Sequence, residues 1–208
     1  MRVVLASSNK GKLRELADLL APLGFDLVAQ NTLGVETPPE TGHTFAENAL
    51  LKARYAAGAT ALPALADDSG IEVDALGGRP GIYSARYAGE GASDEDNLRK
   101  MLAEMREVPA SRRTARYQCV IAYVATVSDP RPILANGTWE GTLISVPRGL
   151  GGFGYDPIFV PCGFDRTAAE LDPGEKNSLS HRGQALRALV TQLQDLRPMT
   201  RQPMTRQK

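Results

Sequence analysis

The sequence predicts an α/β fold on a mixed sheet. The first thirty residues read strand, loop, helix, strand. Strand-sized apolar runs then alternate with stripes of helical spacing. Two long strand patterns, 114–126 and 133–144, follow each other with no helix between them, so the sheet cannot be purely parallel. In order, Val3–Ala6 is a buried strand. Lys12–Ala21 is a helix with Leu13, Leu16 and Leu20 on one face, stopped by Pro22 and Gly24, and Phe25–Ala29 is the second strand. After a loop over 31–43, Thr44 and Glu47 have capping-box spacing and start a helix that Gly58 should stop. Leu65-Ala66 enters Asp67-Asp68-Ser69-Gly70, which reads either as an Asx-type turn or as a polar strand end, and Ile71–Val73 resumes the strand. Ser93 caps a helix with acids in its first turn and Leu98, Met101, Leu102 and Met105 in phase. Asn136-Gly137 suggests a bend in the 133–144 strand. Ile158–Val160 is a short strand, and the last helix spans about Ser180–Leu196.

The chain has 208 residues, enough to bury a core without metal or disulfide staples. Lys plus Arg and Asp plus Glu both number 24, so the basic excess of a duplex nucleic-acid binder is missing. The opening apolar run turns polar at Ser7, too soon for a signal peptide or spanning helix. Cys119 and Cys162 form no CxxC and support neither a zinc site nor a disulfide scaffold. These features fit a reduced cytoplasmic protein with no membrane or nucleic-acid partner. Residues 198–208 hold two copies of Pro-Met-Thr-Arg-Gln, which cannot build a core, and read as a disordered, mildly basic tail behind a domain of residues 1–197.

Five segments could carry chemistry. Ser7-Ser8-Asn9-Lys10-Gly11-Lys12 joins a strand end to a helix start, where free N–H groups and the helix dipole favour phosphate. It is no P-loop, because no glycine stands five residues before Gly11 and Leu13 follows the lysine. An ordinary βα turn reads equally well. Asp67-Asp68-Ser69-Gly70 puts two carboxylates at a strand end, as a magnesium or water-activating site would, though alternation sends only one of them inward. Gly149–Gly154 contains G-x-G-x-x-G, but Tyr155-Asp156-Pro157 follows where a dinucleotide fold needs a helix. A loop able to lay Phe153 against a flat base remains, beside the plainer reading of a hairpin connection. Lys176, His181 and Arg182 surround a helix start, where the dipole disfavours cations, and such a broken rule points to function. Lys52 shares a face with Asn48 on a mostly apolar helix, either reaching into a cleft or marking a solvent face.

Together these segments resemble the inosine triphosphate pyrophosphatase family. The marks occur in order: Ser7-x-Asn9-x-x-Lys12, Glu40-Thr41-Gly42 with Phe45-x-Glu47-Asn48-Ala49, Ala66–Gly70, Pro80-Gly81-x-Tyr83-Ser84-Ala85-Arg86, Gly152–Pro157 and Ser180-His181-Arg182. The resemblance covers about residues 2–196. It implies a long curved mixed sheet with flanking helices, two lobes around a central cleft, and a homodimer. It implies magnesium-dependent hydrolysis of non-standard purine nucleoside triphosphates to the monophosphate and pyrophosphate. By position, Ser7, Ser8, Asn9, Lys10, Gly11 and Lys12 would hold the triphosphate. Asp68 would be general base and metal ligand, Glu40 the second metal carboxylate, and Lys52 would lie near the phosphates. Ser69, Phe153, Gly154, Tyr155, Asp156, Lys176, His181 and Arg182 would bind substrate. A pyrimidine triphosphate pyrophosphatase and a non-catalytic nucleotide sensor are the competing functions. The sensor should lack an activating carboxylate, whereas this sequence has Asp68 and Glu40.

Overall fold

A computed structural model describes residues 1–7, 16, 17, 20 and 24–195. Its one six-stranded sheet has the order β2-β1-β3-β4-β5-β6. The strands are β1 (Arg2–Leu5), β2 (Asp26–Ala29), β3 (Ala64–Val73), β4 (Thr114–Val124), β5 (Ile133–Leu143) and β6 (Phe159–Pro161). β1 runs parallel to β2 and β3, and every later pairing is antiparallel, so the sheet is mixed as the sequence predicts. The helices are α1 (Phe45–Thr60), α2 (Asp94–Glu104), α3 (Pro173–Leu179) and α4 (His181–Asp195). Leu16, Ala17 and Leu20 are helical; the rest of the predicted Lys12–Ala21 helix and the 198–208 tail lie outside the described residues. Among the described residues no helix is long and apolar enough to cross a membrane.

Helices flank both faces. Leu16 and Leu20 pack with Ala185, Leu186 and Leu189 of α4 over Val3, Leu5, Leu65 and Ile121. Ala49, Ala53 and Ala56 of α1 cover the other face at Val4, Ala64 and Ala66, where small side chains let helix and sheet approach closely. A further core lies toward the far end of the long strands, around Ile71, Met101, Tyr117, Trp139 and Phe159. The chain thus reaches β2 from β1 over one face and β3 from β2 over the other. The carboxyl end of β1 is therefore a topological switch point, where open α/β sheets bind ligands.

Three local expectations are corrected. Asp67-Asp68-Ser69-Gly70 is no turn. It pairs residue by residue with Ile121, Val120, Cys119 and Gln118 inside an unbroken β3, and the ladder to β4 outweighs local turn preference. Gly58 does not stop α1, which runs to Thr60 and ends on a left-handed Ala61 whose N–H reaches the Ala57 carbonyl. The Thr44 cap forms, with its hydroxyl accepting from the Glu47 N–H at 3.1 Å, but the Glu47 carboxylate accepts from the His43 N–H instead of closing the box. The expected last helix does form, as α4, and it begins right after its predicted cap, Ser180. The Ser180 hydroxyl accepts from the Gly183 N–H, so it caps α4 just where α3 ends.

β5 is likewise unbroken at Asn136-Gly137. Gly137 serves close approach: a Cβ there would overlap the His181 carbonyl and the Ala185 nitrogen, both backbone atoms of α4. Gly137→Ala should therefore destabilise the fold by about 1–3 kcal/mol through overpacking. A lower urea midpoint at unchanged slope is the expected result, and an unchanged midpoint would contradict this seating of α4.

Candidate active site

Strand alternation places the chemistry on both faces of β3. Asp68 points toward α1, where Lys52 Nζ donates to its Oδ1 at 2.9 Å and Asn48 Nδ2 to its Oδ2 at 3.3 Å. The same ammonium donates to Glu40 Oε1 at 2.7 Å, and Arg86 Nη1 donates to Glu40 Oε2 at 3.0 Å. Lys52 is only 5% exposed, so it fills no solvent face of α1; it bridges two carboxylates. Asn48 also accepts from the Gly42 N–H at 2.8 Å and thereby fixes the end of the loop that carries Glu40.

Charge states follow from these contacts. Burial alone would lower the Lys52 value, but Asp68, Asp67 and Glu40 outweigh it and hold the amine above its ordinary value. Lys52 is therefore an ammonium at neutral pH and cannot serve as a base. Burial raises the Glu40 carboxyl, yet Lys52 and Arg86 prevail and keep it below the usual glutamate value. Glu40 is a carboxylate at neutral pH.

Asp67 points to the opposite face. Arg182 Nε lies 3.4 Å from its Oδ2, and Arg182 Nη2 donates to Ser69 Oγ at 3.2 Å. This buried anion answers the misplaced cation at the start of α4. His181 stacks on Tyr117, with ring centroids 4.7 Å apart and 8° between planes. Asp156 accepts from Lys176 Nζ at 2.6 Å, the Phe153 N–H at 2.9 Å and the Tyr117 hydroxyl at 3.2 Å. Burial, with Asp156 alongside, holds the Tyr117 hydroxyl well above its ordinary value, so it remains a donor. Gly152 has φ +73°, and a Cβ there would collide with the Asp156 carboxylate, so only glycine lets Asp156 clasp this loop. Lys176 Nζ sits 4.9 Å and the Arg182 guanidinium 5.8 Å from the Phe153 ring centre. Ser69, Phe153, Gly154, Tyr155, Asp156, Lys176, His181 and Arg182 all line one cavity of about 110 Å³.

The predicted substrate residues 69–182 thus share a cavity, and the predicted Asp68, Lys52 and Glu40 form a charge cluster on the other face of the same strand. The two meet at consecutive residues, Asp68 and Ser69. Ser7 is buried just past β1, whose Leu5 pairs with Leu65 two residues before Asp67. Ser8, Asn9, Lys10, Gly11 and Lys12 lie outside the described residues. Sequence reasoning left Arg86, Tyr117 and Asn97 without roles. Arg86 stands in the Pro80–Arg86 segment, which was its only signal. Tyr117 had none beyond strand periodicity.

Among the described residues no three His, Cys, Asp or Glu side chains gather to hold a metal alone. Asp68 and Glu40 nevertheless suit magnesium: both offer hard oxygens, and one ammonium reaches both, so one cation can address the pair. Magnesium commonly takes one or two carboxylates and completes its shell with phosphate and water.

Residues 3–192 match the Ham1 family. The dITP/XTP pyrophosphatase of Escherichia coli (strain K12) is 56% identical over 194 residues, covering 93% of this chain and 98% of that protein. That of Pectobacterium atrosepticum is 57% identical over the same share of each. The solved structure of a HAM1 protein from Coxiella burnetii superposes with a TM-score of 0.88 at 49% identity, covering 94% of this chain and 99% of that one. With its sheet, its helices and nearly its whole length matched in this way, the chain belongs to the Ham1 family.

Proposed function

We propose that this protein hydrolyses the non-standard purine nucleoside triphosphates dITP, ITP and XTP to the monophosphate and pyrophosphate, clearing them from the nucleotide pool of the cytoplasm. The observation that carries the reading is the juxtaposition on β3: a carboxylate–ammonium cluster at Asp68 and, one residue on, a cavity with an aromatic wall and cationic donors. Relatives more than half identical to this chain bear the name dITP/XTP pyrophosphatase. The homodimer that the resemblance implies belongs to the same reading.

In this mechanism the base lies against Phe153, with Lys176, His181 and Arg182 at its edge. A 6-oxo purine accepts from such donors. Adenine presents a 6-amino donor instead, and the resulting unpaired buried groups can reject it by about 10⁴ or more. Residues 7–12, which follow β1 in the sequence, would receive the phosphates. Lys52 directs its positive charge at them and holds Asp68 and Glu40 in register. A carboxylate has about four acceptor positions, so Asp68 can take a water proton while bonded to Lys52 and Asn48. The water oxygen then bonds to the α-phosphorus, the bond to the bridging oxygen breaks, and pyrophosphate leaves. Asp68 and Glu40 would hold magnesium, which when bound supplies charge against that gathering on the leaving pyrophosphate.

With magnesium present, ITP, dITP and XTP should each release pyrophosphate at least about 10³-fold more efficiently than ATP, given the donor mismatch. Release of orthophosphate alone, ATP turnover equal to ITP, or faster turnover of dTTP and UTP would refute the reading. The last outcome would favour a pyrimidine enzyme.

A further inference from the structure

One short segment touches both halves of the site. The 3-10 turn Gly81–Arg86 lies beside β3, with Ser84 Oγ accepting from the Ile71 N–H at 2.9 Å. The Tyr155 hydroxyl, from the loop that carries Phe153, donates to the Ser84 carbonyl at 2.8 Å. Asn97 of α2 is 1% exposed; its Nδ2 donates to the Ala85 carbonyl at 3.1 Å and its Oδ1 accepts from the Ala88 N–H at 2.8 Å. Ser84 and Ala85 line the cavity that holds Phe153. The next residue, Arg86, faces the other way and binds Glu40.

Glu40 needs such a partner. Residues 35–44 form neither helix nor strand, so the backbone supplies little constraint on its side chain. Its Oε1 shares Lys52 with Asp68, whereas its Oε2 has Arg86. Arg86 is itself steadied, with its guanidinium 5.2 Å from the Tyr83 ring centre and 3.5 Å from the Glu90 carboxylate.

We propose that Arg86 is a positioning residue that fixes the Glu40 carboxylate opposite Asp68, and that its turn, anchored by Tyr155 and Asn97, registers this carboxylate pair against the base cavity. This rests on the function proposed above. A planar guanidinium sets the direction of its hydrogen bonds, while a lysine ammonium supplies the same charge without that geometry. Arg86→Lys therefore separates position from charge. Misplacement by about 1 Å can cost 10²-fold in rate, so even partial loosening of Glu40 should be visible.

The test uses the full-length chain and three measurements. Manganese binding, followed by its paramagnetic signal without nucleotide, should weaken about fivefold or more in Arg86→Lys. Binding of IMP without metal, followed by calorimetry, should stay within about threefold of wild type, because Arg86 does not line the cavity. Turnover of saturating ITP should fall about tenfold with KM little changed. Tyr155→Phe removes one hydroxyl from the base side and touches neither carboxylate, yet it should weaken manganese about twofold through the turn. Manganese affinity within error of wild type in both variants would overturn the proposal, as would a loss of IMP binding in Arg86→Lys without a loss of manganese. Failure of the wild-type protein to release pyrophosphate from ITP would instead remove the proposed function, while the manganese comparison would still decide whether Arg86 positions Glu40.

Discussion

Asp68→Asn should reduce pyrophosphate release from ITP by about 10³-fold or more while leaving IMP affinity within about tenfold of wild type. The asparagine keeps the shape of the side chain and an oxygen for Lys52, which now donates to Asp68 Oδ1 at 2.9 Å. It cannot accept a water proton, and it brings no charge to a metal. General base catalysis alone contributes about 10²–10⁴-fold, and loss of a metal carboxylate adds to this. The base cavity lies on the other face of β3, so product binding should survive. Single-turnover kinetics and calorimetry on one preparation check both parts. Turnover within tenfold of wild type would mean that another group activates the water.

Asp156→Asn should be the most damaging change in the base cavity. Asp156 is 3% exposed and gathers Lys176, the Phe153 N–H and the Tyr117 hydroxyl on one carboxylate. Neutralising it leaves the Lys176 ammonium buried without its counter-charge, a change that costs about 3–5 kcal/mol in comparable buried pairs. The urea midpoint should fall accordingly, and KM for ITP should rise because Phe153 and Lys176 lose their shared anchor. Adding Lys176→Met to Asp156→Asn removes the stranded charge. The double variant should recover most of the stability and none of the affinity for the base. If it recovered both, the pair would hold the fold and not the purine.

Much of this arrangement is written in local pattern. The caps at Thr44, Ser93 and Ser180 are legible because side-chain oxygens at a helix start have a local partner. The division of Asp67 from Asp68 follows from the two-residue period of a strand, and the structure sends one to Arg182 and the other to Lys52. The unbroken course of β3 through those acids was not legible, because the ladder to Val120 and Ile121 is made by residues more than fifty positions away. The passage of β5 through Gly137 was hidden for a similar reason, since the demand for glycine comes from the α4 backbone. Arg86 and Asn97 carried no periodic signal at all. Their meaning lies in what the turn at 81–86 joins, and such a link exists only once β3, α2 and the Phe153 loop have assembled.

Every step proposed for this site depends on water reaching the innermost phosphorus beside Asp68. Hydrolysis of ITP in ¹⁸O-labelled water, with the products separated and weighed by mass spectrometry, tests this directly. The prediction is one labelled oxygen on the phosphate of IMP and none in the pyrophosphate. Label in the pyrophosphate would place the attack on the β-phosphorus and contradict the assignment of the carboxylate cluster.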